Sequence, residues 1–327
     1  MPIGLLERLA TGPVLGDGGY LLELEKRGWV RAGSFTPEVA ITHPEALVEL
    51  HREFLHAGAQ VLQALTFYAG EDRLARAGLA AAVDEINREA VRIARRVAAG
   101  GDALVAGTLS PTGAYDPADP RSADHVRAAF DRQLDGMAAE GVDLVIGETF
   151  AWLGEARLCA ERAARTGLPV VVTMAFEDEP IAREGDGPGD CARALVDAGA
   201  DVVGVNCLRG PVRLLPIAAE MREAVTVPIA CQPVAYQTPP GRADFTSLPE
   251  FPFALDPLQL PRAAMAEFAV KARELGIGYI GSCCGSVAVH VRAMARALGT
   301  LPPDDRDAGT TPVRGVHGAE AAPGSGG

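Results

Sequence analysis

The chain has 327 residues, 48% of them hydrophobic, and a formal net charge of −13. That is enough apolar material for one large core or two small ones, and an acidic chain without a basic stripe is poorly suited to nucleic acid. No apolar run approaches the ~20 residues that span a bilayer, and the opening "MPIGLLERLATGPVLGDGG" is too short and interrupted for a signal peptide, so a cytoplasmic protein acting on small molecules is expected, with homo-oligomer formation left open.

Short β-branched runs recur at 13–19, 59–67, 102–109, 142–148, 169–174, 201–207, 227–233 and 277–283. Amphipathic stretches separate them, such as "HPEALVELHREFLHAG" and "LAAAVDEINREAVRIARRVAAG", with apolar residues at helical spacing. Eight strands alternating with helices predict an α/β fold of one domain, a (β/α)8 TIM barrel, over residues 1–302. A doubly wound sheet is the competing arrangement. Long connections follow the first strand (20–43), the second (69–79) and the seventh (236–257), on the side of the barrel where such folds keep their sites, and the last of these is a candidate lid. Residues 303–327 are rich in Pro and Gly without hydrophobic period and are expected to be a disordered tail.

Six cysteines without a secretory leader are expected as free thiols. Cys283 and Cys284 are adjacent, and neighbouring Cα atoms ~3.8 Å apart fall below the usual ~4.4–6.8 Å of a relaxed disulfide. In a barrel, Cys207 ends the sixth strand and Cys283 and Cys284 end the eighth, so the three project at one mouth and form a tripod for a thiophilic ion. One Zn²⁺ per chain is the expected cofactor, with its fourth position open for chemistry. Cys159, Cys191 and Cys231 fall inside helical stretches or a strand and are expected to be buried apolar residues.

Two acids also fall at strand ends, Asp17 in "GDGG" and Glu148 in "IGETF", where a carboxylate either meets solvent or pairs with a cationic substrate group. Gly18 would let a ligand approach the backbone. Phe67 and Tyr68 follow the second strand and Phe35 lies in the preceding long connection; these rings are either core or a cation–π cage for an onium group.

Together these segments resemble the zinc-dependent homocysteine S-methyltransferases, from about residue 10 to about residue 300. The resemblance rests on "GDGGYLLELEKRGWVRAG", "HPEALVELHREFLHAGAQVLQALTFYAGEDRL", "GDALVAGTLS", "ADVVGVNC", "QPVAYQTP" and "YIGSCCG", while "TFYAGEDRL" and "LPEFPFALDP" point to the branch that uses betaine. It implies Cys207, Cys283 and Cys284 as zinc ligands, Asp17 and Glu148 as the catalytic-site acids that hold the homocysteine amino group, and Phe35 and Tyr68 as the betaine cage. Four positions depart from the family pattern: Phe35 stands for a Trp, Thr149 for a Tyr, Ala64 for a Thr, and the dimerisation arm has no match in this chain. The implied activity is methyl transfer from betaine to the homocysteine thiol, giving methionine. S-methylmethionine or another N-methylated betaine as donor, or a homocysteine-activating module served by a separate methyl carrier, are the alternatives. A zinc hydrolase would want His and carboxylate ligands, and the six histidines show no H-x-H or H-E-x-x-H arrangement.

Overall fold

Alternation along the strands divides the apolar residues into two sets. Val61, Leu104, Ala106, Leu144, Ile146, Val171, Val202, Ala230 and Tyr279 form one buried cluster, while their neighbours Leu62, Val105, Val145, Val172, Val203, Cys231 and Ile280 belong to another shared with the helices. Because side chains point alternately to opposite faces of a strand, the first cluster fills the interior of a closed sheet and the second lies between sheet and helices.

The computed structural model describes residues 3–31, 35–177, 179–238, 242 and 244–301; the expected tail at 303–327 lies outside them. The strands are β1 Val14–Leu15, β2 Val61–Gln63, β3 Leu104–Leu109, β4 Leu144–Phe150, β5 Val170–Met174, β6 Val202–Asn206, β7 Ile229–Gln232 and β8 Tyr279–Ile280. All neighbours pair in parallel in the order β1-β8-β7-β6-β5-β4-β3-β2. The sheet comes round on itself, with helices between its strands, as a (β/α)8 barrel. Leu5, at the start of the helix Leu5–Thr11, joins the interior cluster.

The closing seam is unusual. Between β1 and β2 the Gln60 N–H donates to the Leu15 carbonyl at 2.8 Å, and side chains do the rest: Leu15 N–H donates to Gln60 Oε1 at 2.9 Å and Gln63 N–H to Asp17 Oδ2 at 2.7 Å. A carboxylate thus takes the place of a ladder carbonyl at the mouth.

Most strands are shorter than their apolar runs. The first run, 13–19, yields only Val14–Leu15, and the second, 59–67, only Val61–Gln63. The residues beyond leave the ladder to build the mouth. Continuing the inward register two residues at a time ends the interior rows of β2 to β7 in a buried polar side chain: Gln63, Thr108, Glu148, Thr173, Asn206 and Gln232. The barrel is apolar at its base and polar at its C-terminal end.

Interior space is tight at Gly204 on β6, where an added Cβ would lie 2.0 Å from the Ala230 carbonyl oxygen, a backbone atom of β7. Gly204→Ala should destabilise the barrel by ~3 kcal/mol or more, whereas Gly12→Ala, with nothing within 4 Å of the new methyl, should leave the melting temperature nearly unchanged. Thermal denaturation of the two variants checks this, and equal melting temperatures would refute the packing account.

Candidate active site

Three sulfurs converge at the mouth. Cys207 Sγ lies 4.0 Å from Cys284 Sγ, and Cys283 Sγ lies 3.9 Å from Cys284 Sγ, the whole set falling within 4.8 Å. Cys207 directly follows β6, but it turns out of the strand in the left-handed region at φ 58°, followed by Leu208 at 56°. β8 stops at Ile280, so Cys283 and Cys284 stand on the loop beyond it rather than at the strand end that the sequence suggests. Hydrogen bonds among the three sulfurs act in both directions, and with burial and the neighbouring acidic groups they leave each thiol well above its ordinary pKa.

Gly18 and Gly19 also meet a packing need that the sequence does not reveal. A Cβ at Gly19 would sit 2.8 Å from the Cys283 carbonyl oxygen, and one at Gly18 would sit 2.5 Å from the Phe54 ring and 3.0 Å from the Ser286 carbonyl oxygen. These positions are bare so that the loops after β1 and β8 can touch. Both still border the cavity.

That cavity is lined by Gly18, Phe35, Phe67, Tyr68, Glu148 and the three cysteines, joined by Tyr20, Gln63 and other mouth residues. The structure therefore brings every candidate site residue but Asp17 to one wall. Asp17, 1% exposed, lies behind it, with Oδ2 accepting from Tyr20 Oη at 2.5 Å and from Gln63 N at 2.7 Å. Its Oδ1 is buried without a partner. Burial raises the Asp17 pKa to about 7, against the lowering effect of those hydrogen bonds. Glu148 is pushed to about 8 by burial and then by the negative charge of Asp17. Among the described residues that line the cavity none is Lys, Arg or His. Two carboxyl groups and three thiols without a countercharge make a site for a cation.

Asn206 holds this arrangement together. Its Nδ2 donates to Glu148 Oε2 at 3.0 Å and Thr149 Oγ1 at 2.8 Å, and its Oδ1 accepts from Thr149 N and Thr173 Oγ1, both at 2.9 Å. All four of its hydrogen-bonding positions are used. Thr149 needs the clamp, because it sits at φ 67° beside the register shift between Gly147 and Phe150 of β4. Phe35 and Tyr68 also have positive φ, so all five such non-glycine residues among those described line the cavity. Backbone strain of this kind costs of order 1–3 kcal/mol per residue and persists where surrounding contacts enforce it.

The aromatic side of the cavity comes from three connections. Phe67 and Tyr68 have ring centroids 4.2 Å apart, and Arg73 lies 4.3 Å from the Tyr68 ring centroid. Phe35 approaches Phe251 at 6.2 Å, and Phe251 packs edge-on to Phe245, which stacks on Tyr236. Phe251 and Phe245 belong to the connection after β7, which Lys26 ties to the first long connection through a 2.5 Å ion pair with Asp256. Residues 239–241 and 243 of that connection lie outside the described set.

Cys159, Cys191 and Cys231 are fully buried away from the site, as their positions in the sequence suggest. Tyr20, Asn206 and Phe251 are site residues that sequence reasoning missed; Asn206 alone carried a signal, being the last inward position before Cys207.

A model of the homocysteine S-methyltransferase family matches residues 14–298. The chain is 45% identical over 308 residues to a betaine–homocysteine S-methyltransferase of Danio rerio, covering 90% of this chain and 75% of that protein. It is 41% identical over 315 residues to an S-methylmethionine–homocysteine S-methyltransferase of Mus musculus, covering 92% and 84%. Among solved structures, the metallated form of the homocysteine methyltransferase MmuM from Escherichia coli superposes with a TM-score of 0.70 at 21% identity, over 87% of this chain and 96% of that one, which shows a shared fold.

The raised acid pKa values set a sign for stability. Burial holds the folded Asp17 pKa at about 7 against an ordinary 3.8, so its contribution is present at low pH and is lost as pH rises through the folded value. Asp17→Asn should therefore melt progressively higher than the wild type, both ligand-free, as pH rises from ~4 to ~8, by up to ~4 kcal/mol at ~1.4 kcal/mol per unit. Melting curves across that range check the sign; a difference that does not change with pH would contradict it.

Proposed function

Because the chain belongs to the homocysteine S-methyltransferase family, we propose that it moves a methyl group from glycine betaine to the thiol of homocysteine, giving methionine and dimethylglycine. The observation that carries this reading is the meeting, in one cavity, of three neighbouring thiols, a buried acid on the wall with a second directly behind it, and a wall of aromatic rings.

The thiols suit zinc. Four sulfurs at ~2.3 Å around a tetrahedral ion stand ~3.8 Å from one another, and two of the Sγ pairs here are already at 3.9 and 4.0 Å. Cys207, Cys283 and Cys284 would hold the ion. When bound, zinc supplies the positive charge that keeps a substrate sulfur as thiolate at neutral pH, where a free alkyl thiol is mostly protonated.

The remaining steps fall to side chains of this chain. Glu148 and Asp17 receive the ammonium group of the amino-acid thiol; burial raises the pKa of both, the charge of Asp17 adds to it at Glu148, and the ammonium offsets that penalty. The side-chain amide of Asn206, donating to Oε2, keeps the Glu148 carboxylate in place as it takes up charge. A cavity lined by acidic groups and no described basic side chain favours a cationic donor, and the π faces of Phe35, Phe67 and Tyr68 orient it with a methyl toward the sulfur. A sulfur lone pair attacks that methyl carbon in line, and the breaking C–N pair departs with the amine. Positive and negative charge cancel as this happens, so excluding water speeds it, and Phe245 and Phe251 are placed to do so. A cation–π contact weakens as the donor loses its charge, so the rings align the donor more than they accelerate transfer.

A sulfonium donor such as S-methylmethionine is the second reading, favoured by the 41% identical relative whose name carries that donor. Thiol ligands that must stay reduced fit a cytoplasmic location.

Purified protein should contain about one zinc per chain, and Cys284→Ala should lose metal and turnover together. Full zinc occupancy with unchanged turnover in that variant would sink the ligand assignment. Donor choice is read from Phe35: with betaine as donor, Phe35→Leu should raise donor KM by a few-fold to ~30-fold, as expected for losing ~0.5–2 kcal/mol, while Phe35→Trp keeps or lowers it. Equal donor KM in the two variants would make Phe35 a packing residue only, and faster turnover with S-methylmethionine than with betaine would favour the sulfonium reading.

A further inference from the structure

Behind the cavity wall a second polar group departs from what its surroundings require. The helix Pro44–His56 turns Leu47, Leu50 and Phe54 into the core, and on that same buried face stands His51, 0% exposed. Its Nδ1 lies 2.9 Å from Tyr20 Oη, which in turn lies 2.5 Å from Asp17 Oδ2. Tyr20 is fixed by packing, with its ring 5.2 Å from that of Phe54 and 5.0 Å from that of His51. A buried polar chain of this length calls for a reason, since an apolar helix face would pack without it.

The chain has only one self-consistent arrangement of protons when Asp17 is ionised. The phenol has a single proton. If Tyr20 gave it to His51, two oxygens 2.5 Å apart would face each other with no proton between them. Tyr20 must therefore donate to Asp17, and His51 must donate its Nδ1–H to Tyr20 Oη. Burial holds His51 neutral, with a pKa lowered to about 3, so Nε2 is then a bare acceptor. That atom is indeed buried without a partner.

The consequence lies at the carboxylate. Oδ2 receives both available donors, Tyr20 Oη–H and Gln63 N–H, and its rotation is locked; Oδ1 receives none. No member of the chain is cationic, so Asp17 is oriented without being neutralised. An Arg or Lys at position 51 would have quenched the charge that an incoming cation needs.

We infer that Tyr20 and His51 are positioning residues that present Asp17 Oδ1 to the ammonium group of an amino-acid thiol, so that the site selects thiols bearing an α-amino group over those that lack one. This rests on the proposed use of homocysteine as methyl acceptor and deepens it. Tyr20 acts through Asp17 and not on the reacting sulfur, so its removal penalises one substrate in one parameter.

The test uses the zinc-loaded full chain, with homocysteine and its deamino analogue mercaptobutyrate as acceptors. Tyr20→Phe, which keeps the ring and its packing, should raise homocysteine KM about ten-fold, while donor KM and the KM of mercaptobutyrate stay within about two-fold of wild type. His51→Asn, whose amide N–H replaces Nδ1–H, should keep homocysteine KM near wild type, and His51→Leu should approach the Tyr20→Phe value. A similar penalty on both thiols, or on neither, overturns the inference. Equilibrium dialysis with radiolabelled homocysteine separates this from the function itself. Wild-type protein that binds homocysteine more tightly than Tyr20→Phe yet methylates it with no donor would overturn the proposed function and leave the inference standing. Wild-type protein that binds no homocysteine overturns both.

Discussion

Acidic groups buried together without a countercharge are the condition on which the mouth of this barrel is organised. Asp17 and Glu148 are each at most 6% exposed, no described basic side chain lines the cavity that Glu148 shares with the three thiols and Asp17 backs, and each acid is held well above its ordinary pKa. Such a cluster tends to relax by rotating outward or by recruiting an arginine. The structure blocks both routes with neutral donors. Asn206 fastens Glu148, and Tyr20 and Gln63 fasten Asp17. The instability is stored for ligands, a metal cation, the ammonium group of the acceptor and an onium donor in the reading proposed, whose arrival releases it.

The same requirement accounts for the backbone. Five non-glycine residues at the cavity adopt left-handed conformations that a strand or helix would never impose. At Cys207 the turn swings the thiol out of β6 toward the loop after β8; at Thr149 it carries the chain past the bulge that follows Glu148. Glycine would have relieved the strain at either place but would have supplied no side chain. Strain is tolerated there because a saturated amide, Asn206, bridges the two strained segments by hydrogen bonds to Thr149 and by direct succession to Cys207.

Much of this was legible in the residues themselves. Short β-branched runs separated by helical patterns are a local signal, and they specified the eight strands and the barrel; the position of Cys207, Cys283 and Cys284 at the ends of those runs brought them to one place. Strand ends were less legible. The "LTF" segment is as apolar as a strand interior, yet like "GDGG" it leaves the ladder, and the Asp17 carboxylate takes the Gln63 amide across the seam instead. The loop contact at Gly18 and Gly19 was illegible for a related reason, since a close approach between chain segments more than 260 residues apart leaves no trace in either one. Tyr20 and His51 were invisible as site residues, because each reads as an ordinary member of an amphipathic stretch until Asp17 is seen between Tyr20 and Gln63.

The seam between β1 and β2 joins two properties that most barrels keep apart. The carboxylate that would greet the acceptor amine is also the acceptor of the Gln63 amide that helps shut the barrel. Altering what the acceptor must look like therefore disturbs closure of the sheet, whereas the aromatic wall around Phe35, Phe67 and Tyr68 belongs to connections outside the ladder and can be rebuilt at little structural cost. Divergence in such a scaffold is lopsided: its descendants are free to change the molecule that gives, and are bound to the one that receives.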